Sequence, residues 1–497
     1  MISSLSPKLK TYRYLEKGLE KNRKFYGLWL TGLFVLLTMG ITQLPISART
    51  LLQIVPTLTI SEEYSDNYFK TASQKQEESI TSYALGFSMG FLDINRKVYL
   101  NYSPVYKDYK NQNNRDSLQH KVSLDSEFKP AQHTDIAAHL YYDGNSGNYQ
   151  GDSWQNEASI KGKTQVRKNT HLTYDYDYTN RFEEQFRTGI YKEHALNRAR
   201  AGLSNIYGRK DFLNLSFLYE FDTYKQPDPD EYKLYEPSGY ISYWFSPKTG
   251  MDTNFAFRNK DFDDDLNDIK TYSGDVRYLR NYSKNFDGYL KYRHSFSETQ
   301  TYEHHIFHPS IGFDWDITED SGIMLGIGAL FHEWSNANED SIDPFIDLNA
   351  YKTFDFSKKA SFTITGSSGY SDSGEEAASL GYSTYYKAGY LLKYQLLKQV
   401  SSNLSGSYQL IEFHESLGAR KDTMLTLGAG LSWEVLQWLQ LNLNYSFEDY
   451  NTDSLGRNDY TDNRVFFSIS LYPEKPIRPD IAQSRDSFDT YIYNREK

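Results

Sequence analysis

Residues 309–331 read PSIGFDWDITEDSGIMLGIGALF. Every second residue gives Pro309, Ile311, Phe313, Trp315 and Ile317. Past the polar break Thr318-Glu319-Asp320-Ser321, the series resumes with Ile323, Leu325, Ile327, Ala329 and Phe331. The residues between are of another kind: Ser310, Gly312, Asp314 and Asp316, then Met324, Gly326 and Gly328. Successive side chains of a strand point to opposite faces, so alternation on both sides of a tight break predicts a β-hairpin with one apolar face. A helix would repeat every three to four residues, which neither arm does.

The same alternation recurs along the chain. It begins with Leu52, Ile54, Pro56, Leu58 and Ile60, continues through Tyr83 to Phe91, Leu172 to Tyr178 and Leu213 to Phe221, and ends with Val465 to Leu471. Arms of about ten residues suit strands that cross a bilayer at a tilt. The expectation is an all-β fold, a single transmembrane antiparallel up-and-down β-barrel of about 22 strands, within a range of about 16 to 22. The connections alternate as well. Tight breaks such as Asp93-Ile94-Asn95, Lys129-Pro130-Ala131 and Asp355-Phe356-Ser357 are interleaved with longer polar stretches. Among these are Ser65 to Glu78, Lys225 to Tyr232, Arg258 to Asp268, Ser371 to Ser379 and Asp449 to Asp459. Short periplasmic turns and longer extracellular loops are how such barrels are built.

The 497 residues carry 54 basic and 65 acidic side chains, a formal charge of -11, without the basic footprint a nucleic-acid partner requires. Aromatic residues make up 16 %, with 44 Tyr, while mean hydropathy is negative. That combination fits strands with one apolar face and ring girdles at two membrane interfaces. There is no Cys, which excludes disulfides, thiolate metal sites and Cys nucleophiles.

Residues 1–24 are polar and basic and lead into the apolar run Phe25 to Leu44, which breaks at Pro45-Ile46-Ser47-Ala48. This pattern predicts a secretory signal over residues 1–48, although about twenty apolar residues could also serve as an uncleaved anchor. The barrel is then expected over 49–472. A polar, Pro-containing tail in the periplasm would occupy 473–497.

Three stretches resemble the outer-membrane β-barrel porin group encoded with exopolysaccharide synthesis and export systems. They are Pro56-Thr57-Leu58, the run Glu63-Tyr64-Ser65-Asp66-Asn67-Tyr68, and His308-Pro309-Ser310-Ile311-Gly312-Phe313-Asp314-Trp315. The resemblance spans roughly Leu51 to Tyr472. It implies an integral barrel of the bacterial (Gram-negative) outer membrane, with outer-membrane lipid, polysaccharide and periplasmic export proteins as partners, and it carries no catalytic residues.

Alternation assigns Ile311, Phe313, Trp315, Ile323, Leu325 and Ile327 to the lipid face. Asp314, Asp316 and Glu333, with Arg277, Lys291 and Arg293 from neighbouring strands, are expected to line the lumen, where charges of both signs could steer a polymer or simply be solvated. Glu303, His304, His305 and His308 invite a metal reading. On a strand, however, His304 and His308 lie about 13 Å apart and His305 faces the other way, so no metal is expected. The acidic runs Asp261 to Asp268 and Pro227 to Glu231 lack the Gly-containing spacing of a calcium loop and read as solvated loops. No nucleophile elbow, phosphate loop or zinc-protease helix is present, so no catalytic residue, cofactor or nucleic-acid partner is expected. A porin-like channel assisting exopolysaccharide export or polar-solute passage is the leading reading. A non-conducting structural or adhesive barrel, and a barrel-embedded hydrolase with a rim site, are the alternatives.

Overall fold

A computed structural model describes residues 51–477, apart from 94, 113–114, 148–152, 186–189, 226–230, 264–267, 301–302, 336–340, 372–381, 415–419 and 455–458. The expected signal segment, most of the tail and parts of several long loops therefore lie outside the described residues. In chain order the strands are β1 (Leu51–Ser65), β2 (Glu78–Asp93), β3 (Arg96–Tyr109), β4 (Ser117–Ala131), β5 (Thr134–Gly147), β6 (Ser153–Arg167), β7 (Thr170–Gln185) and β8 (Ile190–Ile206). They continue as β9 (Phe212–Tyr224), β10 (Tyr232–Ser246), β11 (Thr249–Phe262), β12 (Ile269–Ser283), β13 (Phe286–Glu298), β14 (Glu303–Thr318) and β15 (Ser321–Trp334). The last seven are β16 (Ser341–Ser357), β17 (Ala360–Ser371), β18 (Tyr382–Leu397), β19 (Val400–His414), β20 (Arg420–Leu436), β21 (Leu439–Thr452) and β22 (Tyr460–Leu471).

Each strand pairs with its sequence neighbour, and β22 returns to β1 in an antiparallel ladder from Leu58↔Leu471 to Ser65↔Arg464. The result is a closed 22-stranded antiparallel barrel, as the alternation predicts. Closure leaves no exposed sheet edge along the paired length, a requirement for any sheet surrounded by lipid. Below Leu471 the chain turns back, and Ile477 exchanges both backbone hydrogen bonds with Ile54, each 2.8 Å. The beginning of the expected tail is thereby tied to the first strand.

The short connections are encoded locally. Only Lys284 and Asn285 separate β12 from β13, Glu319 and Asp320 separate β14 from β15, and Lys358 and Lys359 separate β16 from β17. In all three, a Ser or Thr at the strand end accepts from the backbone N–H two residues on: Ser283 from Asn285, Thr318 from Asp320, and Ser357 from Lys359. A hydroxyl in this position offers the backbone a local partner and fixes the turn. The ladder shifts register at the same places, at Asn281/Ser283, Asp316/Thr318 and Asp355/Ser357. The longest connections follow odd-numbered strands, as expected, while Tyr207 to Asp211 after β8 is an exception among the short ones.

Strand lengths depart from expectation. They run from 12 residues in β17 to 17 in β20, beyond the ten that alternation marks. Arg258 to Phe262, expected to be loop, belong to β11 and pair with β12 through Arg258↔Thr271 and Lys260↔Ile269. Past the apolar band both faces meet water, so alternation disappears while backbone pairing continues.

Candidate functional site: the inner wall of the barrel

The inner face is identified by reach, because side chains of non-adjacent strands can meet only where the sheet is concave. Tyr289 on β13 lies over β14 and β15, its ring where a Cβ on Gly312 or Gly326 would sit, and the Arg277 guanidinium stacks 4.1 Å from its centroid. The glycines at 312 and 326 are thus the floor on which a buried tyrosine lies flat. Asp314, Asp316, Lys291, Arg293 and Arg277 share this face by register. The opposite face carries the direct pairs Ile311↔Ile327, Phe313↔Leu325 and Trp315↔Ile323. Ile311 is 62 % and Ile327 56 % exposed, which only an apolar surrounding makes stable over so wide a surface.

Glu333 is a correction. It pairs with His305 and shares its parity with Phe331 and Ile327, so it stands on the outer face above the apolar band, opposite in sense to Asp314. Counting residues from Leu325 places it there, since an even step along a strand keeps the face. His304 and His308 share the inner face, and His305 turns outward to stack on His294 at 5.4 Å. Among the described residues no group of three or more metal-type side chains converges.

The inner wall is a patchwork of charges in which many charged register partners are opposite in sign, while Arg277↔Lys291 and Asp287↔Asp314 are alike. Lys97↔Glu127, Asp135↔Lys163, Lys161↔Asp175, Asp175↔Arg200, Asp177↔Arg198 and Arg198↔Glu220 carry this alternation from β3 to β9. Lys97 and Glu127 meet at 3.0 Å, Arg198 Nε donates to Glu220 at 2.5 Å, and the Tyr232 hydroxyl donates to the other Glu220 oxygen at 2.7 Å. Asp252↔Arg277 and Asp275↔Arg293 extend the pattern to β13. Each exposed pair contributes only about 0.2–1 kcal/mol. Their importance lies in leaving a polar wall without a large single-sign field.

Two elements lean inward at the end of the barrel that carries the long connections. The β1–β2 connection is drawn over the closing strands. Lys70, with φ of 52°, reaches Glu448 on β21 at 2.8 Å, and Asn67 donates to the Thr461 carbonyl at 2.8 Å. Ser65 donates to Asp462 at 2.7 Å, and the Asp66 carboxylate accepts from both the backbone and the side-chain amide of Asn463.

The second element was not foreseen. The β16–β17 ladder stops at Leu348↔Ser368, where the Ser368 hydroxyl donates to the Ile346 carbonyl and accepts from the Leu348 N–H. Beyond it Tyr370 and Tyr382 share the parity of the outward Ile364 and Tyr390. Even so, Tyr370 packs on His308 and Phe345, at 5.3 and 5.5 Å between ring centroids, and Tyr382 donates to Asp343 at 2.5 Å. All three partners are inner-face residues. The tops of β17 and β18 therefore lap inside β14–β16, enclosing a buried cluster of Ile306, Leu330, Phe345 and Tyr382. His304 and His308 are sealed beside it. No local sequence signal reveals this overlap, since both tyrosines obey the outward alternation of their strands.

No family model matches the sequence, and no curated protein matches it. The fold is similar to solved structures of siderophore receptors. The Pseudomonas aeruginosa ferric enterobactin receptor PfeA, in complex with BCV-L6, aligns with a TM-score of 0.55 and 7 % identity over 85 % of this chain and 81 % of that one. The siderophore receptor PirA aligns over 84 % of this chain and 80 % of each receptor. The Acinetobacter baumannii form gives 0.53 with 7 % identity, and the P. aeruginosa form 0.52 with 10 %. At such identities the likeness is one of fold, a closed 22-stranded barrel.

Proposed function

We propose that the chain is an integral outer-membrane barrel, porin-like, that passes an extended polar polymer or small polar solutes and serves exopolysaccharide export. The observation that carries this reading is the contrast between the two faces. Rows of exposed Ile, Leu and Tyr cover the outside, and a wall of paired charges, amides and hydroxyls covers the inside. Such a wall solvates a hydroxyl-rich chain without holding it, as passage requires. The β1–β2 connection and the β17–β18 overlap narrow the mouth, so the open state is small. The outward assignment of Ile311, Phe313, Trp315, Ile323, Leu325 and Ile327, and the lumenal one of Asp314, Asp316, Arg277, Lys291 and Arg293, belong to this reading. The polysaccharide in it rests on the family resemblance of the Pro56–Tyr68 and His308–Trp315 stretches.

Purified protein in planar bilayers tests it. Wild type should show a small conductance that rises when Lys70→Ala releases the β1–β2 connection from Glu448, and rises further when residues 70–75 are deleted. Silence of all three would replace the channel with a structural barrel.

A further inference from the structure

A depression of about 290 Å³ lies in the inner wall across β9 to β13. Its floor is built by one register row of small side chains, Ser216↔Ser238↔Ala256↔Ser273, with the Ser216 and Ser238 hydroxyls joined at 2.7 Å. The next row is different: Asn214↔Tyr240↔Asn254↔Asp275↔Arg293. Larger side chains standing beside a row of small ones make a shelf over a recess. Asn254 donates to Asp275 at 3.2 Å, which holds both groups at the rim, and Phe212 backs Tyr240 at 6.0 Å between ring centroids.

The chemistry of the recess narrows what fits. Its floor is hydroxyl-bearing, so an apolar ligand would strand polar groups. Asp275 and Arg293 are register partners of opposite sign, so neither a cation nor an anion is favoured by net charge. What remains is a row of two amides, a carboxylate and a guanidinium that alternately donate and accept, with a tyrosine ring at one side. Closely spaced hydroxyls on a ring with an apolar C–H face match that set. We infer that this recess is a binding subsite for an uncharged sugar unit, the hydroxyls meeting Asn214, Asn254 and Asp275 and the ring lying against Tyr240.

This inference rests on the reading of the barrel as a passage for a polar polymer, and it specifies the monomer class that passage would recognise. It also separates this part of the wall from the charge ladder of β3 to β9, where a larger depression of about 580 Å³ is lined by Lys97, Glu127, Lys161, Lys163, Asp175 and Arg200 and so favours charged over neutral ligands.

The experiment uses the full-length protein in detergent, with maltohexaose and cellohexaose as probes. Saturation-transfer NMR reads binding, and transient current blockades in planar bilayers read residence. Wild type should give transfer to sugar protons with at least one probe. The double variant Asn254→Ala/Tyr240→Ala should weaken binding at least about tenfold, the loss expected from one hydrogen bond and one ring contact. Ala256→Leu, which fills the floor and removes no polar group, should weaken it too. Heat-modifiable migration on gels confirms that each variant is folded. Absence of transfer with both sugars, or equal binding by wild type and both variants, overturns the subsite. Because binding is read without current, a silent channel that still binds sugar would defeat the passage and leave the subsite standing. A conducting barrel that binds neither sugar would do the reverse.

Discussion

Leu325→Arg is the most direct probe of how the barrel sits in a bilayer. Leu325 faces Phe313 on one side and Leu348 on the other, all on the outer face. It lies four residues above the turn at Ser321; at about 3.4 Å per residue and a tilt of about 40°, this is roughly 10 Å of height. The apolar band of such barrels is about 25 Å tall, so Leu325 falls close to its middle. A guanidinium there should cost about 2–4 kcal/mol, or roughly 30- to several-hundred-fold in the folding equilibrium. Its chain neighbour Met324 points inward, directly opposite Asp314 in register. Met324→Arg would set a cation beside a carboxylate in a wet lumen, with an expected change under about 1 kcal/mol. Denaturant titration of both variants in lipid vesicles, followed by tryptophan fluorescence and protease protection, measures the difference. Equal losses at 324 and 325 would refute the assignment of faces, and a larger loss at 324 would invert it.

Three further outcomes are expected. In intact cells Ser73→Cys, on the exposed β1–β2 connection, should react with an impermeant maleimide, and Lys358→Cys, in the β16–β17 turn, should react only after the membrane is opened. The reverse would overturn the orientation. Because the chain has no native Cys, Phe345→Cys/Tyr370→Cys should couple through a short bifunctional thiol reagent in folded protein and lock conductance low; failure to couple would remove the β17–β18 overlap. Gly326→Ala should push the Tyr289 ring off its floor, destabilising the barrel by about 1–3 kcal/mol in thermal gel-shift assays. Tyr289→Ala in the same chain should recover part of the loss, and no recovery would show that Gly326 acts elsewhere.

Alternation alone determined the fold class, the strand number and the pairing of the central hairpin, because a side-chain period of two is a property of each strand by itself. The short turns are closed by hydroxyl residues within two positions, Ser283, Thr318 and Ser357, through contacts too local to depend on the rest of the fold. By register the six apolar residues of the central hairpin share one face and Asp314, Asp316, Arg277, Lys291 and Arg293 the other, and Glu333 takes the parity of the first group through a count along its own strand. What only the tertiary structure decided depends on distance along the chain. Lys70 meets Glu448 across 378 residues, and Tyr370 and Tyr382 meet inner-face residues although their own strands point them outward. Strand extent past the membrane was hidden as well, since a strand wet on both faces keeps its backbone hydrogen bonds and loses its pattern. The recess across β9 to β13 requires five strands in register. A row of small residues becomes a floor only when closure of the barrel sets the strands side by side.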